Sequence, residues 1–223
     1  MKKSHLIFTL LFLFLIGCKK EKQEVGIIYN EKTFLDSILD INKYKIVEKI
    51  KQNDSVYSIK AVNKDKYILT GYLSLKDSDK IRWWTLSKDK KKLLKIEYLF
   101  DGEKTIRNQI IIFNNNQIDT LQSKFFTKKI LPNGKIKFDF YTPRFAFSNS
   151  EVQTHLIYSY YNKDEYTNRQ DNWLKKDGNH YTVNVNIPDL LKEAKSIKGV
   201  LIERETKDSL EGLNLIFFDE TIK

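Results

Sequence analysis

The spacing of apolar residues predicts a helical region followed by a long run of β-strands. Between residues 30 and 52, apolar side chains recur at helical intervals, as Phe34, Ile38 and Ile41 do, which predicts one or two helices. After residue 54 the period falls to two and stays there, which is typical of strands. We therefore expect a mainly β chain with an N-terminal helix.

Polar turns that separate apolar strands predict serial hairpins in the first half of the chain. Residues 67–75 alternate between an apolar face and a polar face, as a strand does. Polar clusters at 63–66, 88–91 and 114–117 recur about every 25 residues, each between apolar strands such as those predicted at 106–113 and 118–126. The pattern predicts a domain over residues 30–130, built from the helix and a meander of antiparallel β-hairpins.

Residues 82–126 resemble the MORN-type hairpin repeats that are common in bacterial envelope proteins. The likeness covers about a fifth of the chain, and most glycine and tyrosine signposts of that repeat are missing. The resemblance implies hairpins, which any antiparallel meander shares, and no function is transferred from it.

The second half of the chain continues the strand pattern after a sharp turn. Residues 131–135 read Leu-Pro-Asn-Gly-Lys, and Asn-Gly is a preferred hairpin centre, here also taken as a domain boundary. Strands are predicted at residues 136–141, 152–161, 181–187, 199–205 and 213–219, with a short helix at 188–195. The polar stretch 162–179 is predicted to be a long loop. Residues 135–223 are thus expected to form a β-sandwich-like C-terminal domain.

The start of the chain has the pattern of an export signal. Lys2 and Lys3 precede an apolar run of 11 residues, 6–16, interrupted only by Thr9. A membrane-spanning helix needs about 20 apolar residues, so this run fits the apolar core of a signal peptide. Residues 1–17 are therefore expected to be a signal peptide.

The sequence Leu15-Ile16-Gly17-Cys18 resembles the lipobox of bacterial lipoproteins. The resemblance implies that Cys18 receives a diacylglyceryl thioether, that cleavage occurs before it, and that its new amino group is acylated, for example with palmitate. Several acyl chains, at about 0.8 kcal/mol per buried CH₂, hold a protein on a membrane far more firmly than one chain does. An ordinary secretory signal with an incidental cysteine is the alternative.

Residues 18–29 are predicted to be a tether, because positions 19–24 carry no apolar side chain. In the lipoprotein family, Asp directly after the cysteine favours retention in the inner membrane, and this chain has Lys19 there. The resemblance therefore implies a lipid-anchored protein of the outer membrane. The mixed charge of the tether leaves the periplasmic and the surface-exposed locations both open.

Composition narrows the choice of partners. The net charge is +10, and loss of residues 1–17 with their two lysines would leave +8, a sign that suits nucleic acid or an anionic membrane. Only five of the 39 basic residues are arginine, which nucleic-acid readers use for bidentate contacts. Export also removes the protein from most nucleic acid. We expect no nucleic-acid partner, which leaves the membrane and an envelope protein or glycan.

The chain contains few of the residues and motifs that commonly act in catalysis. Cys18 is the only cysteine, and His155 and His180 are the only histidines after the signal. Neither histidine has a second metal ligand at suitable spacing, and no P-loop, GxGxxG or Gly-x-Ser-x-Gly motif occurs. We predict no metal site, no cofactor and no catalytic residue. A hydrolase that uses paired carboxylates is the remaining enzymatic alternative.

Three aromatic residues are candidates for ligand stacking: Trp84, Trp173 and Tyr161. Trp83 and Trp84 are adjacent on a predicted strand and must point to opposite faces, so one of them is expected in the core. An exposed ring can stack on a sugar or anchor a protein partner, whereas packing within the sheets is the alternative. The overall prediction is a non-enzymatic envelope lipoprotein that binds a partner, with a glycan-binding module as the alternative.

Overall fold

The computed structural model describes residues 35–132, 135–143, 151–162, 165–186, 194–207 and 210–222. The first seven strands are β1 (Lys45–Asn53), β2 (Val56–Val62), β3 (Ile68–Ser74), β4 (Lys80–Lys88), β5 (Lys91–Phe100), β6 (Thr105–Asn114) and β7 (Gln117–Ile118). The others are β8 (Phe125–Ile130), β9 (Lys135–Tyr141), β10 (Glu151–Asn162), β11 (Glu165–Leu174), β12 (His180–Asn186), β13 (Ser196–Lys207) and β14 (Leu210–Thr221). The strands pair in antiparallel fashion, so the predicted mainly β fold is confirmed.

The N-terminal helix is confirmed in a short form. Residues 35–38 make one helical turn, and Ile41–Lys43 form a 3₁₀ helix capped by Asp40, whose carboxylate accepts a 3.1 Å hydrogen bond from the backbone N–H of Asn42. The predicted continuation to residue 52 is wrong, because β1 begins at Lys45. Helical spacing in this segment coincides with β-branched residues, and pairing with β2 decides in favour of the strand.

The start of the chain falls outside the described residues. The predicted signal peptide (1–17), the tether (18–29) and the beginning of the predicted helix (30–34) all lie there. Among the helices in the described part of the chain, none is both long enough and apolar enough to cross a membrane.

The predicted meander is confirmed as a seven-stranded sheet in which β1 to β7 lie in sequence order. Its tight turns follow from local backbone geometry. Asp89 and Lys90 have φ angles of 49° and 64°, and Asn115 and Asn116 have 50° and 65°. Two consecutive residues with positive φ are the signature of a type I′ turn, whose twist matches that of the flanking strands.

The C-terminal strands form two sheets with a shared core, which confirms the sandwich-like prediction. One sheet has the order β11-β10-β13-β14 and the other β12-β9-β8. Alternation along β9 turns Phe138 and Phe140 inward, where they meet Leu156, Leu201 and Phe218 of the four-stranded sheet. The predicted division into domains 30–130 and 135–223 stays a prediction.

Three local predictions differ from the structure or lie beyond it. The predicted loop over residues 162–179 is wrong for β11, a polar strand at the edge of its sheet that pairs with β10. A single strand predicted over 118–126 is split into β7 and β8, because the carboxylate of Asp119 accepts hydrogen bonds from the backbone N–H groups of Leu121 and Gln122. The helix predicted at 188–195 falls mostly outside the described residues.

Side chains from β6 and its neighbours cover the free edge of β14. The amide of Asn108 accepts from the backbone N–H of Phe217 at 2.7 Å and donates to its carbonyl at 2.8 Å. The ammonium of Lys124 donates to the carbonyl of Leu215 at 3.2 Å. These bonds satisfy backbone groups that an edge strand would otherwise leave open, and they join the meander to the four-stranded sheet.

Candidate binding site at Trp173

Trp84 lies on the buried face of β4 in the meander. Only 1% of its surface is exposed, its Nε1 donates to the carbonyl oxygen of Tyr72 at 3.1 Å, and its ring lies directly against Gly71. A ring buried in this way offers no face to a ligand. Trp84 is therefore the core member of the Trp83–Trp84 pair, which corrects the expectation that it could stack on a sugar.

Tyr161 lies near the end of β10 and is half-buried. Its ring is partly covered by Lys198, whose Nζ lies 5.1 Å from the ring centroid. Tyr161 shares the outer face of the four-stranded sheet with His155, but six residues of strand place the two about 20 Å apart. Tyr161 therefore lies far from Trp173, which is paired with His155.

Trp173 is the exposed aromatic residue of the three, with 70% of its surface accessible. It lies near the end of β11, directly opposite His155 of β10. The two rings stack with centroids 4.4 Å apart and planes only 9° from parallel. One face of the indole is thus covered by the imidazole, so the exposed surface is the opposite face and the ring edges.

Two charged side chains lie beside this stack. Asp171 precedes Trp173 by two residues on β11 and so shares its face of the sheet. Its Oδ1 contacts Nε2 of His155, while Nη2 of Arg169 lies 3.6 Å from its Oδ2. All three polar side chains are partly open to solvent. The result is a flat apolar surface bordered by a carboxylate and a guanidinium group.

This arrangement suits recognition of a molecule that is apolar on one side and polar at its rim. A sugar ring has such a form, because its C–H groups can cover an aromatic face while its hydroxyls reach carboxylate and guanidinium groups. Trp173 lies on an edge strand with 70% of its surface accessible, so a ligand can reach its open face.

Sequence reasoning identified Trp173 and missed its surroundings. Asp171 contacts His155, a pairing that the spacing of residues along the chain did not indicate. The contact was missed because β11 was read as a loop, and the contact exists only when β11 pairs with β10. The spacing Arg169, Asp171, Trp173 at every second position was the available signal for a strand face.

His180, the second histidine, is held in a different way. Its ring stacks on Tyr141 at a centroid distance of 5.5 Å, and its backbone N–H donates to the carbonyl of Asp177. Among the described residues, no group of three or more His, Cys, Asp and Glu side chains is placed to hold a metal ion.

A second polar cluster lies inside the sandwich, centred on the buried carboxylate of Glu203. It accepts hydrogen bonds from Thr142 at 2.9 Å, Lys176 at 2.9 Å, Tyr181 at 2.5 Å and Asn214 at 3.0 Å. Burial raises the pKa of Tyr181 well above its ordinary value, and the hydrogen bond to Glu203 raises it further. Glu203 is closed to solvent, so the cluster supports the fold. The hydrolase alternative stays a prediction.

Cys18 lies outside the described residues, so its lipidation also stays a prediction. No protein-family model matches the chain, and comparison with curated proteins finds no match.

Proposed function

We propose that this chain is a lipid-anchored protein of the bacterial cell envelope, without enzymatic activity, whose β body binds a glycan at Trp173. The observation that carries the binding role is the exposed indole of Trp173, held parallel to His155 and bordered by Asp171 and Arg169. The lipobox resemblance at Cys18 supports the anchor and an outer-membrane location.

The stacking contact is large enough to contribute measurably to the affinity for a ligand. Covering the open indole face removes on the order of 100 Å² of apolar surface from water. At about 25 cal/mol per Å² this is about 2.5 kcal/mol, or roughly 70-fold in Kd. His155 already covers the other face, so little ordering of the ring remains to oppose binding.

Binding to an oligosaccharide panel tests the glycan role. The purified full-length protein in detergent micelles is titrated with soluble oligomers of hexoses and of N-acetylhexosamines, and affinity is measured by calorimetry. We expect Trp173→Ala to weaken binding by roughly 70-fold, as estimated from the buried area.

Phe100 provides a matched control, because it is an aromatic residue on β5 of the seven-stranded meander and 65% of its surface is exposed. Phe100→Ala is expected to leave glycan binding unchanged. Equal losses in both variants, or a Trp173→Ala protein that binds as tightly as the parent, would contradict the proposal.

A protein ligand is the second candidate, favoured by the aliphatic side chains that continue from Trp173 across the outer face of the sheet. Ile202 lies opposite His155 on β13, Leu215 follows on β14, and both are half-buried. A protein partner would use this row with Trp173 as its anchor. In that case Ile202→Asp would abolish binding of the partner, whereas a sugar confined to the Trp173 ring would still bind.

Labelling of cells with radioactive palmitate tests the anchor. The parent protein is expected to incorporate label and to sediment with membranes, and Cys18→Ser is expected to incorporate none. A labelled Cys18→Ser protein would refute lipidation at this residue without bearing on the glycan site.

A further inference from the structure

A cavity of about 490 Å³ is lined by residues of the meander, of β8 and of the strands β13 and β14, and Trp173 is not among its lining residues. Its apolar walls include Leu99, Ile111, Phe126 and Phe217. The volume lies in the range of pockets that hold small organic molecules, roughly 300–1,000 Å³. The charged groups of the cavity indicate the class of molecule that it would hold.

The carboxylate of Glu97 is fixed at this cavity by two buried amides. Its Oε2 accepts hydrogen bonds from Nδ2 of Asn108 at 2.6 Å and from Nε2 of Gln109 at 2.8 Å. Both amides are themselves held by backbone groups, Asn108 by Phe217 and Gln109 by the N–H of Phe126. Neutral donors therefore hold Glu97, and no described basic side chain lies within ion-pair distance of its carboxylate.

Lys95 brings the opposite charge to the same wall. It lies two residues before Glu97 on β5, about 7 Å along the strand. Its Nζ is 4.2 Å from the centroid of the Trp83 ring, and no described carboxylate lies within ion-pair distance. The cavity therefore presents one negative and one positive group, each without an ionic partner among the described residues.

The other charged groups of the cavity differ, because they already form pairs. Nζ of Lys128 lies 2.6 Å from Oε2 of Glu220, and Nζ of Lys198 lies 2.9 Å from Oδ2 of Asp219. A ligand gains little from groups that it must first separate, whereas Glu97 and Lys95 can each take a new charged partner.

We infer that this cavity binds a small zwitterion: a free amino acid or short peptide, its ammonium on Glu97, its carboxylate on Lys95 and its apolar side chain against Phe126 and Phe217. A purely cationic ligand would leave Lys95 unpaired, and a purely anionic ligand would leave Glu97 unpaired. Only a molecule that carries both charges satisfies both groups while it fills the apolar walls.

Calorimetric titration of the full-length protein in detergent micelles tests this inference. The probes are phenylalanine and the dipeptide Ala-Phe, which separate the amino-acid source from the peptide source, together with the N-acetylated and C-amidated forms of each. We expect at least one free zwitterion to bind, and each blocking group to weaken its binding by at least about 10-fold, as loss of a charge-assisted contact does.

Variants assign the two charges. Glu97→Gln is expected to make the free and N-acetylated probes bind alike, and Lys95→Met to make the free and C-amidated probes bind alike. Lys88→Met is the matched control, because the ammonium of Lys88 lies 4.5 Å from the Tyr67 ring centroid, in a similar contact outside the cavity lining. It is expected to leave both preferences intact.

Two results would overturn the inference. One is binding that is indifferent to both blocking groups in the parent protein. The other is the absence of binding for every probe at about 10 mM, well above any specific affinity. Both are measured on the parent protein, so they decide the question even if a variant fails to fold.

Discussion

Lys124 is expected to make the stability of this protein rise with pH in the alkaline range. It lies at the junction of β6 and β14, where its Nζ donates to the carbonyls of Arg107 and Leu215, each at 3.2 Å. Burial lowers the pKa of Lys124 from 10.5 to about 8. The folded protein therefore releases this proton at a lower pH than the unfolded chain does.

The size of the effect follows from the two pKa values. A difference between 10.5 and about 8 corresponds to about 3 kcal/mol at about 1.4 kcal/mol per pKa unit. Because the pKa is lower in the folded state, this stability is complete above pH 10.5 and is lost as the pH falls to about 8. Between pH 7 and pH 10 the expected gain is about 2.5 kcal/mol.

Urea denaturation at pH 7, 8, 9 and 10 measures the gain when the parent protein is compared with Lys124→Met. Other titrating groups are common to both proteins and cancel in the difference. The free energy of unfolding of the parent should rise relative to that of the variant by about 2.5 kcal/mol across this range. Lys129→Met, at an exposed lysine of β8, should run parallel to the parent. A constant difference between the parent and Lys124→Met would refute the reasoning.

Two further substitutions test the packing around the sites. Gly71→Ala places a Cβ 2.2 Å from a ring carbon of Trp84, so we expect the free energy of unfolding to fall by about 3 kcal/mol. Thermal unfolding should then show a lower midpoint, whereas an unchanged midpoint would show that the ring can move aside. Asn108→Ala leaves the backbone N–H and C=O of Phe217 without their partner, so the free energy of unfolding in urea should fall by about 2–4 kcal/mol. If Asn108→Ala left the free energy of unfolding unchanged, water would replace the amide at the edge of β14.

Strands whose one face is buried were predictable from alternation alone. In β9, Phe138 and Phe140 alternate with Lys137 and Asp139, and the structure buries the first two. The period of two in such a strand reflects contact with the core on one side and water on the other, so the sequence records it directly.

Strands without a regular alternation of apolar and polar residues were misread for the same reason. All nine residues of β1 are exposed, so no alternation marks it, and its apolar residues happened to fall at helical spacing. β11 is a polar edge strand that pairs only with β10. In both cases hydrogen bonds to a neighbouring strand decide the structure, and a single segment of sequence carries no record of its neighbour.

The candidate sites were likewise only partly predictable from the sequence. Sequence identified Trp173 as a candidate and required Trp83 and Trp84 to point to opposite faces, but it could not say which of them is buried. Gly71 of β3, 13 residues before Trp84, leaves the space into which that ring packs. The contact between His155 and Asp171 likewise depends on the register of two strands.

By itself, the sequence determined the mainly β architecture, the serial hairpins and the small number of cysteine and histidine residues, and it predicts the lipid anchor at Cys18. These properties depend on local pattern and composition, which each segment carries on its own. Only the tertiary structure decided that Trp173 stacks on His155 and that Glu97 and Lys95 face one cavity, because strand pairing and sheet packing bring together residues distant in sequence.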